Sequence, residues 1–252
     1  MLQQTPVERV LPVYSSWMQR WPTPARQADD PPAEAIRAWG RLGYPRRALR
    51  LHEAAVVITS RHAGRVPGTE TELRALPGVG EYTAAAVSAF AHGQRVAVLD
   101  TNVRRVLGRV VGGHALPRPH LTRGERAVAE ALLPESASVA VRWSVAAMEL
   151  GALVCTARAP SCPHCPVAPD CRWLAAGRPP VAHPRRRQPF AGTDRQVRGL
   201  MLEMLRRDPA GVPRDRLLGC WSDPAQAGRA LESLESDGLV QAGPGRVVRL
   251  PG

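Results

Sequence analysis

The chain contains no lysine; all 34 of its basic residues are arginine. A catalytic lysine Schiff base is therefore excluded, and only the terminal amine remains for such a route. Strand-like alternation is nearly absent before residue 238, which argues against a β-rich main domain. No apolar run approaches the roughly 18 residues that cross a bilayer. No secretory signal opens the chain. Cysteine is sparse, with five in all, and four of them crowd between 155 and 171, a spacing that suits metal ligation better than disulfides. Together these absences point to a cytoplasmic protein without a membrane partner. What is present is a chain of 252 residues with 44% hydrophobic content, enough for one large domain or two modest ones. Its formal charge is +12, which points first to a polyanionic partner, most often nucleic acid. The plain alternative is a genome that writes arginine freely.

The four cysteines are Cys155, Cys162, Cys165 and Cys171, in the pattern C-x6-C-x2-C-x5-C. Pro160, Pro163, Pro166 and Pro169 stiffen the loop, so closing it costs little entropy. A structural zinc site usually takes two short arms. Here only Cys162–Cys165 is short, which favours a [4Fe–4S] cluster held by four thiolates, with zinc as the alternative. Cys220 stands apart and reads as a small buried hydrophobe.

Helical periodicity runs from Met1 to Trp21, with Val7, Val10, Leu11, Tyr14 and Met18 near one face. Asp30-Pro31-Pro32 opens a helix to Trp39, and Pro45 starts another to about His62. Thr69-Glu70-Thr71-Glu72 and Thr122-Arg123-Gly124-Glu125 fit capping boxes. A helix from about Ser136 to Val154 delivers Cys155. The expected organisation is a mainly α domain over 1–176 containing the cysteine loop 155–171. A Pro/Arg-rich linker over 177–193 and a small winged-helix-like domain over 194–252 follow. In the last, helices near 194–207, 213–220 and 224–236 precede a hairpin ending at Leu250.

Leu76-Pro77-Gly78-Val79-Gly80-Glu81-Tyr82-Thr83-Ala84 lies between two helices. Gly78 and Gly80 allow backbone shapes that other residues resist, and they expose amides at a helix start, where phosphate binds without a basic side chain. Asp100, in Leu99-Asp100-Thr101-Asn102-Val103, reads as an N-cap whose carboxylate is kept ionised and aimed by backbone donors.

These segments, with Met1-Leu2-Gln3-Gln4-Thr5, Leu42-Gly43-Tyr44 and Met148-Glu149-Leu150-Gly151-Ala152, resemble the helix-hairpin-helix DNA glycosylases. Within them they are most similar to the A/G-specific adenine glycosylases; the resemblance covers residues 1 to about 175. It implies a monomeric base-excision repair enzyme acting on double-stranded DNA with A:8-oxoguanine or A:G mispairs. It also implies an extruded adenine and a brace-like [4Fe–4S] cluster on Cys155, Cys162, Cys165 and Cys171. By the same resemblance Asp100 stabilises the sugar cation, Asn102 holds it, and Tyr82 supports the site where the lyase relative, endonuclease III, has a lysine. Gln3, Gln4 and Tyr44 meet the opposing base and the stack, Gly78 and Gly80 seat phosphate, and Glu149 meets adenine's polar edge. Arg158 and Arg172 are candidate phosphate contacts near the cysteine loop.

The pattern departs from the family in two places. The general acid of the family is a glutamate two residues before the methionine that is residue 1 here; Glu8 lies on the wrong side of the motif to replace it. The chain as given is therefore expected to be impaired, with its true start upstream; the competing readings are a non-catalytic iron–sulfur DNA-binding protein and an endonuclease III-like glycosylase. A Nudix-like partner domain for inspecting 8-oxoguanine is also not apparent in 194–250.

Overall fold

The computed structural model describes residues 1–3, 5–180 and 190–252. Helix α1 (Val7–Arg20) begins only after Pro6, later than periodicity suggests. The residue before a proline is pushed out of the helical region, and the proline itself suits a helix start. Its buried face is Val10 and Trp17. Val7, Leu11, Tyr14 and Met18, expected to share a core face with Val10, are exposed instead. The stripe was drawn from aliphatic spacing, whereas the helix is oriented by its tryptophan. Helix α2 (Pro24–Asp29), not expected from sequence, is capped by Thr23, whose hydroxyl accepts from the Arg26 amide at 3.3 Å. Helices α3 (Pro32–Trp39) and α4 (Arg46–Arg61) follow.

Thr69 caps α5 (Glu70–Arg74), and Gly80 precedes α6 (Glu81–His92). Asp100 caps α7 (Thr101–Val110). Helix α8 (Arg123–Leu132) has the full reciprocal capping box of Thr122 and Glu125. Helix α9 (Ala137–Glu149) runs on into a π-helical turn, Leu150–Val154. Over Ala137–Val154 the mean hydropathy reaches 1.4 across 18 residues, so the expectation that no run of that length is so apolar does not hold. The segment carries Arg142 and Glu149 and packs on α7. Helix α10 (Arg172–Ala175) closes the cysteine loop.

The last segment holds α11 (Asp194–Arg207), β1 (Val212–Pro213), α12 (Arg214–Leu218), α13 (Pro224–Ser236), β2 (Gln241–Ala242) and β3 (Val247–Arg249). The strands are antiparallel in the order β1-β3-β2, with Val212 and Ala242 both opposite Val248. Helix, strand, two helices and a hairpin make the winged-helix order. Gly211 turns into β1 at φ 97°, and a Cβ there would lie 2.7 Å from the Val248 carbonyl oxygen, so only glycine fits.

Contacts divide the chain into two compact units. One takes Met1–Pro67, Leu76–Gly78 and the C-terminal segment. Its core joins Trp17, Ile36 and Trp39 to Met201, Leu205, Leu231 and Leu234 in one cluster. Trp17 meets Trp21 and Trp39 edge-on, with ring centroids 4.7 and 6.0 Å apart, a favoured aromatic geometry. The division thus cuts across the sequence boundaries at 176 and 193. Of the expected linker, residues 181–189 lie outside the described residues. The other unit takes Gly68–Ala75 and the chain from Val79 through the cysteine loop. Small buried residues (Ala84, Ala85 and Ala89 of α6, Ala129 of α8, Ala140 and Ala147 of α9) line its helices and permit close approach.

Because the first unit shares one core, Leu231→Ala is expected to destabilise it by about 2–5 kcal/mol, the range for a fully buried leucine. Urea unfolding followed by tryptophan fluorescence should show the loss at the N-terminal tryptophans as well as in the far-ultraviolet signal. An unchanged tryptophan transition would refute the shared core.

Candidate active site

The loop that enters α7 ends at Asp100, and both carboxylate oxygens are held. Oδ1 accepts from the Val103 amide at 2.7 Å, and Oδ2 accepts from Asn102 Nδ2 at 2.8 Å. The first bond is the helix cap; the second orients the remaining oxygen. Asn102 is fixed in turn, because its Oδ1 accepts from Arg105 Nη2 at 2.8 Å. That guanidinium also donates to the Gly151 carbonyl at 2.5 Å and, through Nε, to the Cys155 carbonyl at 2.7 Å. Arg105 is only 6% exposed; burial pulls its pKa down from the usual guanidinium value, and the surrounding acceptors compensate the buried charge.

The approach of the π turn to α7 depends on Gly151. A Cβ there would stand 2.7 Å from Asn102 Cβ and 2.8 Å from the Asn102 carbonyl oxygen. π-Helical turns recur where a helix is re-aimed at a functional site. Here the turn brings backbone carbonyls to Arg105. Asp100, Asn102, Arg105, Gly151 and Cys155 thus form one hydrogen-bonded chain.

Arg109, one turn beyond Arg105, is 2% exposed. It donates to the Ala115, Thr156 and Ala157 carbonyls at 2.9, 2.8 and 3.2 Å and to Cys155 Sγ at 3.2 Å. Its guanidinium lies 4.4 Å from the Trp173 ring centroid, a cation–π arrangement. Cys155, Cys162, Cys165 and Cys171 are all free thiols and ring one cavity whose remaining walls include Val106, Leu150, Val154 and Trp173. Arg172, one of the two arginines expected to meet phosphate near this loop, is exposed and donates through Nη1 to the Val111 carbonyl at 3.0 Å.

Tyr82 sits in the first turn of α6, 39% exposed. Burial, and next the charge of Asp100, push its phenol above the usual tyrosine pKa. It lines a cavity of about 230 Å³ with Glu81, Ala85, Leu99, Arg104 and Arg126. Within this cavity Glu81 is ion-paired with Arg126. Arg104 grips Glu125 at 2.9 Å. Glu149 is exposed at the end of α9.

In the other unit, Gln3 Nε2 lies 3.5 Å from the Gly78 carbonyl. Gly78 has φ 73°, and a Cβ there would stand 2.5 Å from Arg50 Cβ, so glycine is required twice over. Gly80, at φ −85°, needs no such freedom, and a Cβ there would meet nothing within 4 Å. Tyr44 is exposed at φ 49°. Gln4 lies outside the described residues. Each unit therefore gathers its own set: Asp100, Asn102, Tyr82 and the cysteines in one, Gln3, Tyr44 and Gly78 in the other. Sequence reasoning missed the roles of Arg105, Arg109 and Gly151. The available signal was a pair of arginines one turn apart on α7.

A family model described as HhH-GPD superfamily base excision DNA repair protein matches residues 1–130. The adenine DNA glycosylase of Mycolicibacterium smegmatis is 54% identical over 242 residues, which cover 96% of this chain and 81% of that protein. A thermostable thymine-DNA glycosylase structure superposes with a TM-score of 0.62 at 28% identity, covering 69% of this chain and 80% of its own. A trapped endonuclease III–DNA covalent intermediate superposes with a TM-score of 0.60 at 25% identity, with coverages of 69% and 80%.

Two outcomes follow from this geometry. Gly151→Ala is expected to cost about 1–3 kcal/mol by overpacking, read by urea denaturation; a neutral substitution would mean the π turn is free to move. In ultraviolet titration the Tyr82 phenol should ionise above the usual tyrosine range, and Asp100→Asn should lower its midpoint. Since the folded phenol has the raised pKa, its contribution to stability is present below pH 10 and declines as pH rises further. A midpoint indifferent to Asp100→Asn would separate the two groups.

Proposed function

The chain belongs to the HhH-GPD superfamily of base excision DNA repair proteins, and from that premise we propose that this DNA glycosylase hydrolyses the N-glycosidic bond of adenine opposite 8-oxoguanine or guanine in duplex DNA. The observation that carries the reading is the Asp100 carboxylate, held at both oxygens by Val103 and Asn102 in the same unit as Tyr82 and the cysteine loop. A carboxylate fixed in this way needs no reorganisation to face positive charge developing on a sugar. With the target nucleotide extruded from the stack, Asp100 stabilises the cation left as adenine departs. Water then completes an abasic site. Asn102 keeps the carboxylate aimed, and Arg105 keeps Asn102 aimed. Tyr82 remains a neutral phenol through physiological pH, because burial and Asp100 both oppose its ionisation.

Adenine leaves well only when its ring is protonated, which calls for a second carboxyl. Glu125 is held by Arg104 at 2.9 Å and so does not suit that task. Gln3, Gln4 and Tyr44 serve the base opposite adenine, Glu149 serves adenine's polar edge, and Gly78 and Gly80 seat phosphate at the start of α6. Without lysine at the Tyr82 position, the reaction is hydrolysis rather than lysine-dependent strand cleavage. The protein acts as a monomer.

The cysteine ring suits a [4Fe–4S] cluster. Its four thiols surround a cavity lined otherwise by apolar side chains and Arg109. Only Cys162–Cys165 forms a short arm, which favours a cluster over zinc. When bound, the cluster cross-links four thiolates and stiffens residues 155–171. Arg109, donating to Cys155 Sγ, matches the hydrogen bonding that thiolate ligands receive.

In single-turnover excision from an A:8-oxoguanine duplex, Asp100→Asn is expected to be slower by about 10²–10³-fold or more; an undiminished rate would remove Asp100 from the chemistry. The purified protein should contain iron and show a broad visible absorbance band that Cys165→Ser abolishes, whereas zinc without absorbance would exclude the cluster.

A further inference from the structure

The clusters beyond the catalytic carboxylate include one arginine whose donors all turn inward. We infer that Arg47 is a positioning residue that ties the N-terminal strand carrying Gln3 to the tip carrying Tyr44, and so sets the spacing of the two side chains that read the base opposite adenine. The inference rests on the function proposed above for Gln3 and Tyr44.

Helix α1 starts only at Val7, so the carbonyls before it have no helical donors. Arg47 supplies them. Nη1 donates to the Met1 carbonyl at 3.1 Å and to the Gln3 carbonyl, and Nη2 donates to Thr5 Oγ1 at 2.8 Å. The same Nη2 reaches the Gly43 carbonyl at 3.3 Å, which also accepts from Trp39 Nε1 at 2.9 Å. The guanidinium plane is sandwiched as well, 5.1 Å from the Trp39 ring centroid and 5.6 Å from that of Tyr44. Trp39 is 1% exposed and belongs to the core, so the platform beneath Arg47 is fixed.

The tip needs such a hold. Gly43 and Tyr44 are both left-handed, at φ 83° and 49°. For tyrosine that backbone is strained and persists only where surroundings enforce it. An exposed aromatic on a strained residue would otherwise relax. Two donors on the one Gly43 carbonyl and a cation over the Tyr44 ring keep it in place. The strand and the tip therefore move together or not at all.

Arginine is required for this geometry. A planar fork bonds in several directions while its face stacks; an ammonium is a single point with three donors and no plane. With its terminal nitrogens engaged by protein acceptors, Arg47 has no part in gripping phosphate. That distinguishes it from the surface arginines that set salt dependence.

The test compares wild type with Arg47→Lys. The three tyrosines, Tyr14, Tyr44 and Tyr82, are labelled with 3-fluorotyrosine and assigned by single phenylalanine substitutions. In Arg47→Lys the Tyr44 fluorine resonance should shift and narrow towards the free amino acid, while that of Tyr82 stays put. Affinity for an uncleavable 2′-fluoro-deoxyadenosine duplex opposite 8-oxoguanine, relative to guanine, should fall about tenfold or more, with the salt slope unchanged. A Tyr44 resonance like that of wild type overturns the proposal. So does a salt slope reduced by about one, the mark of a lost phosphate contact. If wild type itself does not distinguish 8-oxoguanine from guanine, the functional reading fails, and the Tyr44 resonance still decides whether Arg47 holds the tip. Thr5→Val removes one of the strand anchors and serves if Arg47→Lys does not fold; it should move the same resonance in the same direction by a smaller amount, and no movement counts against the inference.

Discussion

A guanidinium taken out of water must find an acceptor for nearly every donor, or its desolvation goes uncompensated. Arg105 meets that demand with the Asn102 side chain and the carbonyls of Gly151 and Cys155, and the active carboxylate depends on how it does so. The carbonyls exist at that distance because α9 ends in a π turn. The turn reaches α7 because residue 151 has no side chain. Asn102 is left with its amide directed at Asp100. The position of one Asp100 oxygen is thus determined by backbone far along the chain, at the edge of the cysteine loop.

Arg47 solves a similar problem in the other unit. There the acceptors are carbonyls of a strand that has not yet become helix, and an aromatic platform replaces one set of bonds. Arg109 combines both devices, with carbonyls on one side and Trp173 on the other. Charge in these places serves packing more than attraction, because each fork joins segments that lack partners of their own. The lysine-free composition suits this use, since a lysine would neither fork nor stack.

Much of this was legible because local chemistry dictated it. Thr122 and Glu125 announced α8 with a reciprocal cap, Asp100 announced α7, and Pro224 and Gly238 bracketed α13. The cysteine spacing gave the loop before any coordinates. Local pattern failed where tertiary partners decided. The aliphatic stripe of α1 was not its buried face, because packing among Trp17, Trp21 and Trp39 set the helix rotation. Gly78 and Gly80 looked equivalent in sequence, yet only Gly78 faces Arg50 at a left-handed φ. Arg105 and Arg109 read as the polar positions of an amphipathic helix. Their burial depends on carbonyls some fifty residues away, which periodicity does not see.

The single core shared by the first helices and the last has a consequence for synthesis. Trp17, Ile36 and Trp39 leave the ribosome early, but the leucines of α13 that complete their cluster emerge near the end, and the Ala33 amide bonds to the Pro251 carbonyl at 3.0 Å. At about 5–20 residues per second, a nascent chain spends many seconds with those indoles uncovered. During that interval the cysteine-bearing half can assemble by itself, so the order of maturation runs from the middle of the polypeptide outward, and a stalled or prematurely released product would expose the tryptophans to aggregation or to a holding chaperone.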